Sequence, residues 1–194
     1  KIAMEVLTSG KELGHSLSGN VLYCSLDTPK TEMIYRVKAL AENRYPDHLE
    51  EIGSNLDIKW ETINLTNDYW CKEEDETYSW NIWGAILRDD GVRLLVIDTL
   101  SKALVGSTVN DDQAIRKVIF NLREIIKGAG DELSILVVHH SGKNLSKGMM
   151  GSSILSNDIS TVLKIRKTKD GFNLIREKHK SSYEGKSIPF KSRS

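Results

Sequence analysis

The sequence is poor in the residues that build cross-linked or metal-bound frameworks. Its 194 residues include only two cysteines, Cys24 and Cys71, and five histidines, without metal-ligand spacing among them. One cysteine lies in an apolar run and the other in an acidic segment. A disulfide or metal framework is therefore not expected, and the composition favours a reduced, intracellular protein.

Long hydrophobic runs are also missing. The most apolar stretch, around residues 94–97, falls far short of the roughly 20 residues that a membrane-spanning helix needs. The chain does not open with a signal peptide. Both absences predict a protein without membrane contact, located in the cytoplasm.

An excess of charge of either sign is absent as well. The 27 basic and 27 acidic side chains cancel, so no global field draws the chain toward nucleic acid or anionic lipid. Contact with nucleic acid would have to come from local basic loops. Hydrophobic residues make up 39% and charged residues 28%, which is typical of a folded protein, and we expect a single domain over residues 1–194.

Apolar periodicity alternates between strand-like and helix-like stretches along the first three quarters of the chain. Strands are predicted at residues 21–26, 56–65, 92–97 and 133–139, and helices at 2–13, 31–43, 79–87 and 111–127. Asn110 with Gln113 is expected to cap the last of these helices, and the acidic residues 72–76 are expected to form a solvated loop. This order predicts an α/β fold with a mostly parallel sheet and helices on both faces.

The last quarter of the chain has a different pattern. Apolar and polar residues alternate at residues 159–166, 172–178 and 187–190, and Lys169-Asp170-Gly171 is a hairpin turn signal. An antiparallel edge is therefore expected to follow the parallel core.

Two aspartates directly follow predicted strands. Asp98 ends the most hydrophobic strand, where open α/β sheets place their ligands, and its carboxylate suits a water-mediated magnesium ion; alternatively, it caps the next turn. Asp27 ends an earlier strand, and the carboxyl ends of parallel strands share one edge. It could orient and deprotonate an attacking water, or it could be a turn former before Thr28-Pro29.

A histidine pair and a basic loop follow the predicted strand at residues 133–139. His139 or His140 could hydrogen-bond a γ-phosphate, or could satisfy backbone groups at the strand end; a metal site is the least expected role. Lys143 and Lys147 lie in a loop at residues 141–153 that is rich in Gly, Ser and Met. They could follow a nucleic-acid backbone, or could simply be solvated.

Lys178 and Lys180 flank His179 at the end of a predicted strand. Alternation would point both lysines to one face, from which they could reach a phosphate on a neighbouring subunit. The alternative is that they protect an exposed edge strand.

Together these segments resemble the RecA-like motor domain of hexameric helicases, in particular the plasmid RepA and bacterial replicative (DnaB-type) groups. The segments that carry the resemblance are VLYCSLDTP at 21–29, LLVID at 94–98, VVHHSGK at 137–143, GSS at 151–153 with residues 158–163, and KHK at 178–180. The resemblance implies an ATPase that uses ATP and Mg²⁺. It also implies that Asp27, Lys178 and Lys180 are catalytic and that Asp98 is the Walker B magnesium ligand.

The same resemblance implies His139 and His140 at the nucleotide, a homo-oligomer, expected to be a hexamer, and single-stranded DNA as partner in DNA replication. Two departures stand out. The family usually has Glu where this chain has Asp27, and the sequence contains no Gly-x-x-x-x-Gly-Lys-Ser/Thr (Walker A) loop. We therefore expect a domain truncated after its first strand and phosphate loop. A non-catalytic RecA-like regulatory or assembly module, or a recombinase- or clock-type ATPase, is the alternative.

Overall fold

A computed structural model describes residues 19–73, 76–130, 132–140, 153–169 and 171–180, and the backbone alone of residues 187–190. The helix expected at residues 2–13 lies outside this range. The chain divides into two compact units, residues 1–151 and 152–194, and each is described by itself. The expectation that the whole chain forms one ATPase domain stays a prediction.

The first unit is built on a parallel sheet. Its strands are β1 (Asn20–Ser25), β2 (Leu56–Lys59), β3 (Cys71–Glu73), β4 (Glu76–Tyr78), β5 (Val92–Asp98) and β6 (Ser134–Val138). Four of them form the sheet in the order β2-β1-β5-β6, with every neighbouring pair parallel. Apolar residues occupy both faces of β5, where Leu95 and Ile97 are fully buried. A strand covered on both faces is typical of parallel sheets, as the sequence predicts.

The helices of this unit connect the strands. They are α1 (Lys30–Arg44), α2 (Leu49–Asn55), α3 (Trp80–Asp89) and α4 (Asp112–Ala129), with 3-10 turns at Pro46–His48 and Leu100–Lys102. Helix α1 covers one face of the sheet, where Val21, Leu94 and Val96 pack with Ala41 and Tyr45. Alternate residues of each strand point to the other face. Helix α3 contacts β5, and helix α4 contacts β6.

Helices α3 and α4 approach each other closely at two glycines. A Cβ atom on Gly84 would lie 2.0 Å from the carbonyl oxygen of Ile125, and one on Gly128 would lie 1.9 Å from that of Asn81. Both positions therefore need a residue without a side chain. The pair α3–α4 forms a closely packed layer on this face of the sheet.

Three expectations about the first unit are wrong. The strand predicted at residues 56–65 ends at Lys59, because the apolar Leu65 anchors an irregular segment instead: its N–H donates to Ala103 O at 2.9 Å. Helix α4 is capped by Asp111 rather than by Asn110, since the Asp111 carboxylate accepts from the N–H groups of the second and third helical residues.

The acidic segment is the third correction. Instead of a solvated loop, Cys71–Glu73 and Glu76–Tyr78 pair as an antiparallel hairpin. Packing next to the hairpin explains why this acidic segment forms regular structure. The Trp70 ring, which directly precedes the hairpin, stacks on Trp83 with ring centroids 5.4 Å apart. Helix α2 was not foreseen either.

The second unit contains α5 (Ser153–Asp158), β7 (Thr161–Thr168), β8 (Gly171–His179) and β9 (Ser187–Phe190). The strands form an antiparallel sheet in the order β7-β8-β9. This confirms the antiparallel segment predicted after the parallel core. Within the part of the chain that the structure describes, no helix has the length and apolar character to cross a bilayer.

Candidate active site at the carboxyl edge of the parallel sheet

The register of the sheet brings three strand ends to one edge. Ser25 of β1 pairs with Asp98 of β5, which pairs with Val138 of β6. Asp27 and His139 follow their strands by one or two residues, so both emerge beside Asp98. This is the shared edge that the sequence predicts for the two carboxylates.

Asp98 is held by contacts from β1. Its Oδ2 atom accepts a hydrogen bond from the Tyr23 hydroxyl at 2.5 Å. Its main-chain oxygen accepts from the Leu26 N–H at 2.7 Å, which extends the pairing of the two strands beyond Ser25. The peptide bond that follows Asp98 is cis. The hydrogen bond from Tyr23 gives the Asp98 carboxylate a partner on the neighbouring strand of the same sheet.

Tyr23 is one residue at this edge that the sequence did not reveal. In an apolar strand, its ring resembles one more core side chain. Burial raises the pKa of its phenol well above the usual range, the hydrogen bond to Asp98 and the charge of that carboxylate raise it further, and Arg36 of α1 partly opposes them. Tyr23 therefore stays protonated and remains a hydrogen-bond donor at any physiological pH.

Asp27 makes two polar contacts at the surface of the edge. Its carboxylate lies 3.3 Å from Lys102 Nζ and 4.0 Å from His140 Nε2. Lys102 ends the 3-10 turn that follows β5, and its side chain is 55% exposed. Such exposed pairs contribute about 0–1 kcal/mol to the free energy of unfolding. Their main effect here is to position the Asp27 carboxylate. Lys102 was also missed, although it stands only four residues after Asp98.

The histidines and lysines singled out by the sequence fall in three places. His139 is partly buried and His140 is exposed, both directly after β6. Their contact with a nucleotide stays a prediction. Lys143 and Lys147, predicted to bind nucleic acid, lie outside the described residues.

Lys178 and Lys180 belong to the second unit. Lys178 Nζ donates to the carbonyl oxygens of Ser156 and Asn157, each at 2.7 Å, at the end of α5. This contact satisfies carbonyls that a helix end leaves without partners. Lys180 lies one residue beyond β8, and its N–H donates to Ser160 O at 3.1 Å. A role for either lysine across a subunit interface stays a prediction.

The donor set at the edge fits magnesium rather than a metal enclosed by protein ligands. The described residues contain no group of three or more His, Cys, Asp or Glu side chains arranged to hold a metal. Magnesium in nucleotide sites takes one or two carboxylates and completes its shell with water and phosphate oxygens. One oriented carboxylate, Asp98, matches that pattern.

Comparisons with known proteins identify the fold and the family of the chain. Residues 1–146 match the profile of a family described as "AAA domain". A crystal structure of the RadB recombinase matches with a TM-score of 0.61 and 16% identity, covering 98% of this chain and 79% of that chain. The shared fold is RecA-like. No curated protein matches the chain. The family profile spans three quarters of the sequence, and the chain therefore belongs to the AAA-domain family of P-loop ATPases.

Proposed function

We propose that this chain is the ATP-hydrolysing motor domain of a hexameric DNA helicase or of a related DNA-replication ATPase. The supporting observation is the meeting of Asp27, Asp98 and His140 at one sheet edge, from three different strands. A carboxylate suited to holding magnesium and a second carboxylate suited to orienting water correspond to two of the parts that recur at sites of phosphoryl transfer to water.

Each residue has a distinct task in this proposal. Asp98 would hold magnesium through water, and the ion would neutralise charge on the β- and γ-phosphates. Asp27 orients the attacking water and accepts its proton. His139 or His140 donates a hydrogen bond to a γ-phosphate oxygen, which ties hydrolysis to a movement at the end of β6.

Assembly and DNA complete the proposal. Lys178 and Lys180 stabilise charge on the nucleotide of the next protomer in a homo-oligomer, which we take to be a hexamer. Lys143 and Lys147, with the loop at residues 101–110, contact single-stranded DNA. These assignments rest on the sequence resemblance and, for Lys143 and Lys147, also on the basic loop expected from the sequence.

The test uses a longer form of the chain that begins with a strand and a Gly-x-x-x-x-Gly-Lys-Ser/Thr loop from a family member. We expect magnesium-dependent ATP hydrolysis that single-stranded DNA stimulates, and its loss in Asp98→Asn with an unchanged fold. The substitution is nearly isosteric, removes the charge and replaces one carboxylate oxygen by an amide NH2 group. Hydrolysis by Asp98→Asn at the normal rate would show that Asp98 is structural.

One observation favours a second candidate, a non-catalytic RecA-like module. The carboxylate that should act on water is already paired with Lys102 at 3.3 Å. In a module of this kind, the longer form would bind ATP and assemble but would not turn it over. Single-turnover measurement of phosphate release from the bound nucleotide separates the two candidates.

A further inference from the structure

We infer that Tyr23 is a positioning residue for the Asp98 carboxylate, so that the magnesium ligand of this site is oriented by a tyrosine from the neighbouring strand. The inference deepens the proposed function and rests on Asp98 being the magnesium ligand. Tyr23 itself would touch neither the ion nor the nucleotide.

The sheet register produces this contact. Tyr23 pairs with Val96, and Ser25 pairs with Asp98, so Tyr23 and Asp98 lie on the same face, diagonally across two parallel strands. This is the face that α1 covers, and the Tyr23 ring packs against its buried cluster. The ring is held by this packing, and its hydroxyl reaches Asp98 Oδ2 at 2.5 Å.

Ser25, which lies directly opposite Asp98 in the sheet, does not donate to the Asp98 carboxylate in place of Tyr23. Ser25 is paired with Asp98 in the sheet, but its hydroxyl donates to Thr28 O at 3.2 Å and so shapes the turn that leads to Asp27. The two hydroxyls on this face of β1 thus have separate tasks. Tyr23 fixes one carboxylate, and Ser25 fixes the backbone that carries the other.

Orientation matters more at this site than at an ordinary metal site. A site with several protein ligands holds each of them through the metal, whereas a single carboxylate relies on its outer partners. With Oδ2 bonded to Tyr23, Asp98 cannot rotate about its Cβ–Cγ bond without breaking a short hydrogen bond. Packing alone does not need the hydroxyl, because phenylalanine would fill the same space.

The test uses the chain itself, with Mn²⁺ alone as the probe in place of Mg²⁺. In two-dimensional amide NMR spectra, Mn²⁺ broadens resonances near its binding site. We expect broadening centred on Asp98 and Thr99, and a shift of its midpoint to about 10-fold higher Mn²⁺ in Tyr23→Phe, the lower end of the loss typical for outer partners. The matched control is Tyr35→Phe on the exposed side of α1, where Tyr35 is 74% exposed, and it should behave like the parent chain.

The outcomes separate this inference from the proposed function. If Asp98→Asn keeps the broadening, Asp98 is not the metal ligand and both ideas fail. If Asp98→Asn loses it while Tyr23→Phe matches the parent midpoint, only the positioning role fails. Should Tyr23→Phe not fold, the parent chain decides: a nuclear Overhauser contact between the Tyr23 hydroxyl proton and the Asp98 β-protons supports the inference, and its absence overturns it.

Discussion

Asp27 and Lys102 form an ion pair that joins the turn after β1 to the turn after β5, with 3.3 Å between the carboxylate and the ammonium nitrogen. Both side chains are more than 40% exposed, so water and salt screen the attraction. The pair therefore places two charged groups beside Asp98 without adding much stability.

The small energy of this pair is measurable. In a double-mutant cycle of Asp27→Asn and Lys102→Met, we expect a coupling free energy of about 0.2–1 kcal/mol that decreases with added salt. Urea denaturation supplies the four free energies of unfolding. The exposed pair Lys38 and Glu42 on α1 is the matched control, with 3.8 Å between its charged atoms. A coupling of several kcal/mol at Asp27 alone would mean that the pair is a structural element of the edge.

Close packing of α3 on α4 predicts a large effect from a single methyl group. We expect Gly84→Ala to lower the free energy of unfolding by about 1–3 kcal/mol, because the new Cβ meets the Ile125 backbone at 2.0 Å and the helices must separate. Gly53→Ala in α2 is the control, since a Cβ there meets nothing within 4 Å. It should be neutral or should stabilise by up to about 1 kcal/mol. Thermal unfolding followed by circular dichroism compares the two variants. Equal melting temperatures would contradict the close packing of α3 on α4 at Gly84.

The sequence was sufficient to predict the parallel core and the shared edge, because strand periodicity and strand-terminal carboxylates are local signals. It was not sufficient for Tyr23 or Lys102. Their partners lie 75 residues away in both cases, at Asp98 and Asp27 respectively, and only the sheet register and the turn after β5 bring them together. Tyr23 was hidden further by its setting, since a tyrosine within an apolar strand resembles core.

The acidic hairpin shows the opposite failure. Composition suggested solvated residues, and Glu73 and Glu76 are indeed exposed. The two segments that contain them nevertheless pair, and Trp70 next to them stacks on Trp83 and donates its N–H to Tyr78 O at 2.9 Å. Charge along a segment thus predicts its exposure well and its backbone conformation poorly.

The two cysteines should differ in reactivity. Burial raises the pKa of the Cys24 thiol to about 12, with Lys59 acting in the opposite direction, whereas Cys71 is partly exposed. At pH 8.5 we expect one thiol, Cys71, to react with a disulfide reagent in the native chain, and both to react after unfolding. The variant Cys71→Ser should then show no fast thiol. Rapid labelling of Cys24 in that variant would contradict its burial.

The same shift makes a prediction about stability at high pH. The folded pKa of Cys24 lies above its ordinary value near 9, so unfolded chains lose this proton first as the pH rises. The stabilising contribution is complete below pH 9 and declines between pH 9 and 12. Comparing urea midpoints of the parent chain and Cys24→Ala across this window isolates the effect. Parallel pH profiles of the two proteins would show that Cys24 does not contribute to the pH dependence of stability.

Catalysis by Asp27 can be distinguished from a turn-forming role by kinetics. In the longer form with a phosphate loop, Asp27→Asn should lower kcat by at least about 100-fold, the usual contribution of a general base, with little change in ATP affinity. Steady-state kinetics and a nucleotide-binding titration measure the two quantities separately. Asparagine preserves turn geometry, so an unchanged kcat would assign Asp27 to the turn before Pro29.

The last prediction concerns Lys180, for which the structure gives a cleaner test than for Lys178. Lys178 anchors two carbonyl groups at the end of α5, so its removal would disturb the second unit whatever its catalytic role. Among the described contacts, Lys180 contributes only its backbone N–H, which donates to Ser160 O. In the longer form, Lys180→Ala should therefore lower turnover while leaving ATP binding and thermal stability close to the parent values.

Mixing two impaired variants then decides whether Lys180 acts on a neighbouring protomer. A ring assembled from Lys180→Ala and Asp98→Asn subunits contains some interfaces with an intact magnesium ligand on one side and an intact lysine on the other. We expect ATPase activity to return partly in such mixed oligomers, verified by native mass spectrometry, and to depend on the mixing ratio. Full activity of Lys180→Ala alone, or no recovery in verified mixtures, would leave Lys180 as a solvent-exposed residue just after β8, the middle strand of its sheet.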